Sequence, residues 1–321
     1  MREEIIVPSS PYFSLDKLYR TVDFSGHKNL LVRPGITVTF YIDAPLRDVC
    51  DAIAGVMQAY IGAIPTGTLR SYLANDGYYK GLTSRQITKD FKTLRALPAD
   101  FEGFALDYSE GLDGQVGTHD LCFMGITGDT ASPTETNLLR MEFPEDVVGL
   151  DGDVSFVEFV TGVAQSVPFS TGHAGFAFKR SQSMERQSME LIALLLPRYL
   201  GFDPSDYWLT TKMRGMSAGP HWINLLGAEL TERAGGAAAI RRALPAAEVR
   251  QLSNGTLIRA AKLPPVGDIN YGAQDIGRLP EVGKFLKPLL PKRLEFAHSS
   301  IDAVAWLARF DALPARDWDN S

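Results

Sequence analysis

Gly35-Ile36-Thr37-Val38-Thr39-Phe40-Tyr41-Ile42-Asp43-Ala44-Pro45-Leu46 is the stretch that decides the fold. Ile36, Val38, Phe40 and Ile42 alternate with Thr37, Thr39 and Tyr41. A period of two marks a strand with one face turned to a core. Asp43 then stands where a helix N-cap is expected, with Pro45 in the first turn. Leu46, Val49, Cys50, Ile53, Val56, Met57, Tyr60 and Ile61 recur at helical spacing until Gly62.

Working outward, Thr83 is positioned to cap a helix through Ile87, Phe91 and Leu94. Strands are expected near 104–108, 119–126 and 138–143, separated by Gly and Asp clusters that read as turns. Asp153 is placed to cap a helix carrying Phe156, Val157, Phe159, Val160 and Val163, and 169–178 reads as a closing strand. In the second half a helix over 184–196 stops at Pro197, and 207–213 reads as a strand. The next helix is expected to open after Gly219-Pro220, carry Trp222, Leu225, Leu226 and Leu230, and end at Gly235-Gly236. Asn254-Gly255 signals a hairpin between a strand near Val249 and one over 256–261. Pro280 starts a helix with Val282, Phe285, Leu286 and Leu289, and Ser300 is expected to cap a last one with Ile301, Val304, Ala305 and Ala308. Strands and helices mix without regular βαβ alternation, so the expected class is α+β with mainly antiparallel sheets packed by helices. The polar segment 179–187 suggests two mixed subdomains, 1–180 and 181–321, without a sequence repeat.

The chain has 321 residues, 45% hydrophobic and 22% charged, which excludes disorder or coiled coil for most of its length. Lys and Arg total 32 against 38 Asp and Glu, so the net charge of -6 argues against a dedicated nucleic-acid binder. It suits solubility or a basic partner. Cys50 and Cys122 lie among apolar residues outside any CxxC; one disulfide would be allowed, but two buried reduced thiols fit better. The five histidines are scattered with no HExxH and no Cys/His cluster, so no zinc site is read. No signal-peptide core follows Met1, and the longest apolar run, 191–196, is too short to span a bilayer. The expected location is cytoplasmic.

Gly215-Met216-Ser217-Ala218-Gly219 matches GxSxG, the nucleophile elbow of serine hydrolases, with Asp268 or Asp275 and His298 as triad partners in order. Few βαβ units precede it, no oxyanion segment appears, and Pro220 follows directly. Gly and Ser before a helix are also ordinary capping chemistry, which is the better account. Asp151-Gly152-Asp153 with Glu145-Asp146 could hold a hard cation, but such acids more often make turns and caps. His119 and His173 read as hydrogen-bonded histidines at strand positions. Lys212, Arg214, Arg233, Arg241 and Arg242 read as a solvated face, and Trp208, Trp222 and Trp306 as core or interface anchors. No GxGxxG and no phosphate-binding loop with its lysine is present. No metal, no cofactor and no convincing catalytic constellation emerge, which points to a binding protein rather than an enzyme.

The second half carries a resemblance. Arg214-Gly215-Met216-Ser217-Ala218-Gly219-Pro220-His221-Trp222-Ile223-Asn224-Leu225-Leu226-Gly227 runs into Ala228-Glu229-Leu230 and Gly235-Gly236. Gly255-Thr256-Leu257-Ile258-Arg259-Ala260, then Gly267-Asp268-Ile269-Asn270 and Phe285-Leu286-Lys287-Pro288-Leu289, complete the order. This resembles the bacterial type VI secretion immunity family, strongly over 214–290 and more weakly at Gly172-His173-Ala174-Gly175-Phe176. The resemblance implies a stoichiometric inhibitor, an antitoxin encoded beside a type VI toxin in an adjacent gene. It implies a nuclease as the target and a position of Ser217 that does not require serine, while the charge balance and the short apolar runs give no nucleic acid and no membrane as partners. Occlusion of the toxin's active site or substrate groove would take an interface of about 1,600 Å² and a Kd near or below about 1 nM. Acidic charge would steer the protein to a basic nuclease groove. Two partner-binding surfaces are in view. One is Arg214, His221, Asn224, Asp268, Asn270 and Tyr271; the other is the acidic set Asp107, Glu110, Asp113, Asp151 and Asp153. Alternatively Gly215, Gly219, Trp222 and Gly267 only shape the fold. A scaffold of the secretion machinery would bind structural components instead.

Overall fold

The computed structural model describes residues 15–24, 26–97, 103–126, 135–148, 154–205, 213–291 and 301–315. The first half contains β1 (Arg20–Phe24), β2 (His27–Ile42), α1 (Leu46–Ala63), β3 (Ser71–Leu73), β4 (Tyr79–Gly81) and α2 (Ser84–Arg95). It continues with β5 (Phe104–Ser109), β6 (Asp120–Gly125), β7 (Asn137–Phe143), α3 (Val154–Ser166) and β8 (Thr171–Arg180). The second half adds α4 (Glu185–Leu195), β9 (Ile223–Gly227), α5 (Ala228–Arg233), α6 (Ala237–Ala243), β10 (Glu248–Leu252), β11 (Gly255–Arg259), α7 (Leu279–Leu286) and α8 (Ala303–Leu307). The class is α+β, as expected.

The strands form one 11-stranded sheet, ordered β10-β11-β9-β8-β2-β7-β6-β5-β3-β4, with β1 on β2. Every strand pair is antiparallel. The alternating stretch of the sequence is the C-terminal part of the 16-residue strand β2, paired with β7 on one side and β8 on the other. The two halves expected around residue 180 share this sheet, because β8 pairs with β9. The main apolar core also draws on both, from Leu15 to Trp306. A second core, with Leu226, Leu230, Ile240, Ile258, Val282 and Leu286, gathers α5, α6 and α7 at the far end.

Alternation sorts the side chains into two buried faces. Ile36, Val38 and Phe40 lie opposite Phe143, Met141 and Leu139. This face packs on helices: the Phe143 ring lies 5.0 Å from Tyr60 of α1 and 5.4 Å from Phe156 of α3. The other face carries Thr37, Thr39, Arg140, Glu142, His173 and Lys179, all buried as well. Chain on either side of the undescribed 206–212 covers it: Arg140 Nη1 donates to the Ser205 carbonyl, and the His221 ring stacks on His173.

Several local expectations change. Asp43 is not a cap; α1 starts after Pro45 without a side-chain cap. The Asp43 carboxylate instead accepts from Ser170 Oγ at 3.0 Å and Gly215 N at 3.2 Å. The helix expected from Trp222 onward is β9 as far as Gly227, and helical only from Ala228. A strand buried on both faces presents a continuous apolar run that resembles a buried helix segment. The last helix is capped by Asp302, whose carboxylate accepts from Val304 N and Ala305 N at 3.0 Å. Ser300 and Asp153 lie outside the described residues, as does the 207–213 strand except Met213. Thr83 caps α2 as expected, accepting from Gln86 N at 3.2 Å. Strands β1, β3 and β4 add to the elements that the sequence pattern marks. Both cysteines are free, Cys122 buried and Cys50 half-buried.

Candidate functional site

The buried polar face concentrates the charged chemistry of the molecule. Ladder register aligns Asp107, Cys122, Arg140, Thr39, His173 and Asn224 in one row across β5, β6, β7, β2, β8 and β9. In the next row Asp120 lies opposite Glu142. Lys179 Nζ sits 2.6 Å from Asp120 Oδ2 and 3.2 Å from Glu142 Oε2, and donates to the Thr118 carbonyl at 2.7 Å. Burial, with Asp120 and Glu142 adding negative charge, lifts Asp107 to about 7. Burial also lifts Asp120, to about 6, against the pull of Lys179. These carboxylates line a small polar cavity with Tyr79, Ser109 and Arg180.

Further along the row, His173 of β8 meets Asp203, from the segment after α4, and His221, just before β9. The imidazoles stack with centroids 3.9 Å apart. Asp203 Oδ2 lies 3.1 Å from His221 Nε2 and 3.4 Å from His173 Nε2, while Oδ1 accepts from Ser205 N at 2.6 Å. His221 Nδ1 lies 3.0 Å from the Gly219 carbonyl. Asn224 locks this turn, accepting from His221 N at 3.0 Å and donating to its carbonyl at 2.8 Å. Burial, then the neighbouring His173, drives His221 down to about 3. Burial pushes Asp203 up, but the two imidazoles outweigh it and hold the carboxyl well below its usual range. Arg309 closes the cluster by donating to the carbonyls of Leu200, Trp306 and Pro220 at 2.7, 2.9 and 2.7 Å. Its burial lowers the guanidinium to about 9.

A second arrangement lies on the surface. Asp268 accepts from Arg198 Nε at 2.9 Å and Nη2 at 2.8 Å, a bidentate pair. The same carboxylate caps the 3-10 turn Ile269–Tyr271 through Asn270 N at 3.0 Å. Nearby, the Asp275 carboxylate accepts from Val266 N at 2.5 Å and Gly267 N at 3.0 Å. A loop pinned at both ends thus displays Tyr271 at 70% and Ile269 at 47% exposure. Leu194, on the last turn of α4 before Arg198, is 77% exposed.

The family described as type VI immunity for VRR-NUC, TsiV, matches residues 52–310. The chain belongs to this family. TsiV proteins are immunity proteins of type VI secretion, so this chain protects against a type VI toxin of the VRR-NUC nuclease class. The matched span contains both arrangements, the buried cluster and the Asp268–Tyr271 loop. Among solved structures the chain is similar to the Pseudomonas aeruginosa T6SS protein PA0821, with a TM-score of 0.72 and 17% identity. The similarity covers 95% of this chain and 94% of that one, and shows a shared fold. No curated protein matches.

Within this TsiV chain the residues singled out from the sequence separate. Asp268, Asn270 and Tyr271 come together on the pinned loop, and Arg214 is exposed beside Gly215. His221 and Asn224 are 2% and 1% exposed and serve the buried cluster, so neither is available to a partner. Of the acidic set, Asp107 faces the internal cavity, and Glu110 accepts from Thr118 N at 2.7 Å and His119 N at 3.2 Å. Asp113 is exposed, and Asp151 and Asp153 lie outside the described residues. Sequence reading missed Asp203 and Arg198, since neither stands in a motif and each gains its partners from distant chain. The nucleophile elbow is not formed: Ser217 is buried, its N–H donates to the Leu289 carbonyl at 2.9 Å, and a strand follows it. Asp268 and Asp275 are engaged as described above, and His298 lies outside the described residues.

Proposed function

We propose that this immunity protein acts in the cytoplasm as a stoichiometric binder. It covers the substrate groove of a VRR-NUC toxin encoded by an adjacent gene, and performs no catalysis itself. The observation that supports the contact surface most directly is the exposed Tyr271 and Ile269 on a loop pinned by Asp268–Arg198 and Asp275. Aromatic and arginine anchors on preorganised backbone carry most of the free energy in tight protein interfaces. The net charge of -6 suits approach to a nuclease groove that must attract phosphate. Neither nucleic acid nor membrane takes part in this reading.

The test is co-expression with the product of the adjacent open reading frame. Restored growth together with a co-purified complex is the expected result. A toxic neighbour that is neither rescued nor bound overturns the reading for that pair. Charge reversal at Asp113 addresses the acidic alternative: loss of binding there, with Tyr271→Ala still binding, would move the contact to that patch. Ester hydrolysis is expected from neither the native protein nor Ser217→Ala.

A further inference from the structure

Neutral histidine has one donor nitrogen and one acceptor nitrogen. His221 presents both nitrogens to acceptors: Nδ1 to the Gly219 carbonyl at 3.0 Å and Nε2 to Asp203 Oδ2 at 3.1 Å. Whichever tautomer it adopts, one lone pair faces another oxygen. Something positive must sit at one of these contacts, either a second proton or a metal ion. Full burial disfavours the doubly protonated ring. His173 adds a second, independent observation. It is 2% exposed, and among the described residues neither of its ring nitrogens has a hydrogen-bond partner, although Nε2 lies 3.4 Å from the same Asp203 oxygen. A buried imidazole left in this way is destabilising unless something else satisfies it.

We propose that His173, Asp203 and His221 form a buried site for a divalent transition-metal ion, with zinc the best-suited occupant. One ligand atom from each residue lies within 4.8 Å of the others. Two ligands about 2.0–2.1 Å from a tetrahedral zinc stand about 3.3–3.4 Å apart. The two Asp203–histidine separations, 3.1 and 3.4 Å, match that edge, while the imidazoles, stacked at 3.9 Å with their planes 15° apart, would turn out of the stack to aim both Nε2 lone pairs at the ion. The Gly219 carbonyl is the outer partner that a ligating histidine ordinarily has, receiving Nδ1–H and freeing Nε2 for the ion. Two imidazoles and a carboxylate are a ligand set of the zinc type. Burial keeps the His221 imidazole uncharged, the form that binds metal. Arg309 brings a positive charge towards the cluster, so the affinity is expected to fall short of that of an all-anionic site. The ion would staple three separate parts of the chain: β8, the segment after α4, and the turn before β9.

The experiment uses the full chain, tag-free and stripped with chelator. Cobalt(II) is titrated as a spectroscopic substitute, then displaced with zinc. The expected result is one equivalent bound with visible d–d bands, Kd below about 1 μM, bands bleached by zinc, and a higher Tm with zinc than with chelator. His173→Ala and Asp203→Asn should lose the bands. Absence of cobalt bands and of zinc uptake in the native chain overturns the proposal and leaves a second proton shared between His221 and its oxygen partners. So does a folded His173→Ala variant that binds as the native protein does. If the variants do not fold, the native titration decides alone.

Discussion

Asp107 illustrates how a single carboxyl can set the pH response of the protein. An aspartate in an unfolded chain titrates near about 3.9, whereas the folded environment lifts Asp107 to about 7. Between these values the native state holds a proton that the unfolded chain has released. Its contribution to stability is therefore complete below about pH 4 and lost as pH rises through about 7. Asp107→Asn removes that dependence. Urea melts should show the variant's advantage over the native protein growing by about 2–3 kcal/mol between pH 5 and pH 8, with the two nearly equal near pH 3. Parallel pH profiles for the two proteins would refute this account. Asp43 makes the contrasting case. Its carboxylate ties the end of β2 to Ser170 and to Gly215, 172 residues away in sequence. Asp43→Ala should cost about 1–2 kcal/mol. Asp43→Ser, a competent helix cap, should recover little of it; full recovery in a thermal melt would restore the capping role that the local sequence suggests.

At the level of elements, close backbone approach decides what can be substituted. The segment after α4 runs against the loop that leads to the 3-10 turn, with Leu200 N donating to the Gly267 carbonyl at 3.1 Å and Gly201 N to the Val266 carbonyl at 3.2 Å. A Cβ on Gly201 would lie 1.8 Å from the Pro265 carbonyl oxygen. Backbone cannot yield as a side-chain tip can, so Gly201→Ala should destabilise by about 2–4 kcal/mol. Gly55 lies within α1, and a methyl group there would meet nothing within 4 Å. Gly55→Ala should stabilise by about 0.5–1 kcal/mol through helix propensity. Chemical denaturation of both variants tests the pair together; equal shifts would mean that backbone proximity does not govern these sites. The same closeness explains β9. Its residues Ile223 to Gly227 are buried between β8 and β11, and so lack the polar alternation that would mark a strand.

At the scale of the whole molecule, a surface ordered before the toxin arrives binds at a lower entropic cost. The Asp268–Tyr271 loop meets that condition because distant residues hold it. Tyr271→Ala should weaken toxin binding at least about tenfold, or about 1.4 kcal/mol, without lowering Tm. A calorimetric titration showing unchanged affinity would remove this loop from the interface. The α+β class, the β2–α1 start, the Asn254-Gly255 hairpin and the family are all legible in the linear chain, since these rest on local periodicity, turn chemistry and an order of residues. Long-range packing is what joins the strands in one sheet, buries its polar second face, and sets His221 and Asn224 inside and Tyr271 outside. The pairing of Asp203 with His173 and His221, like that of Arg198 with Asp268, joins residues far apart in the chain. Local patterns report which way a side chain alternates, but what covers it depends on segments that arrive from elsewhere.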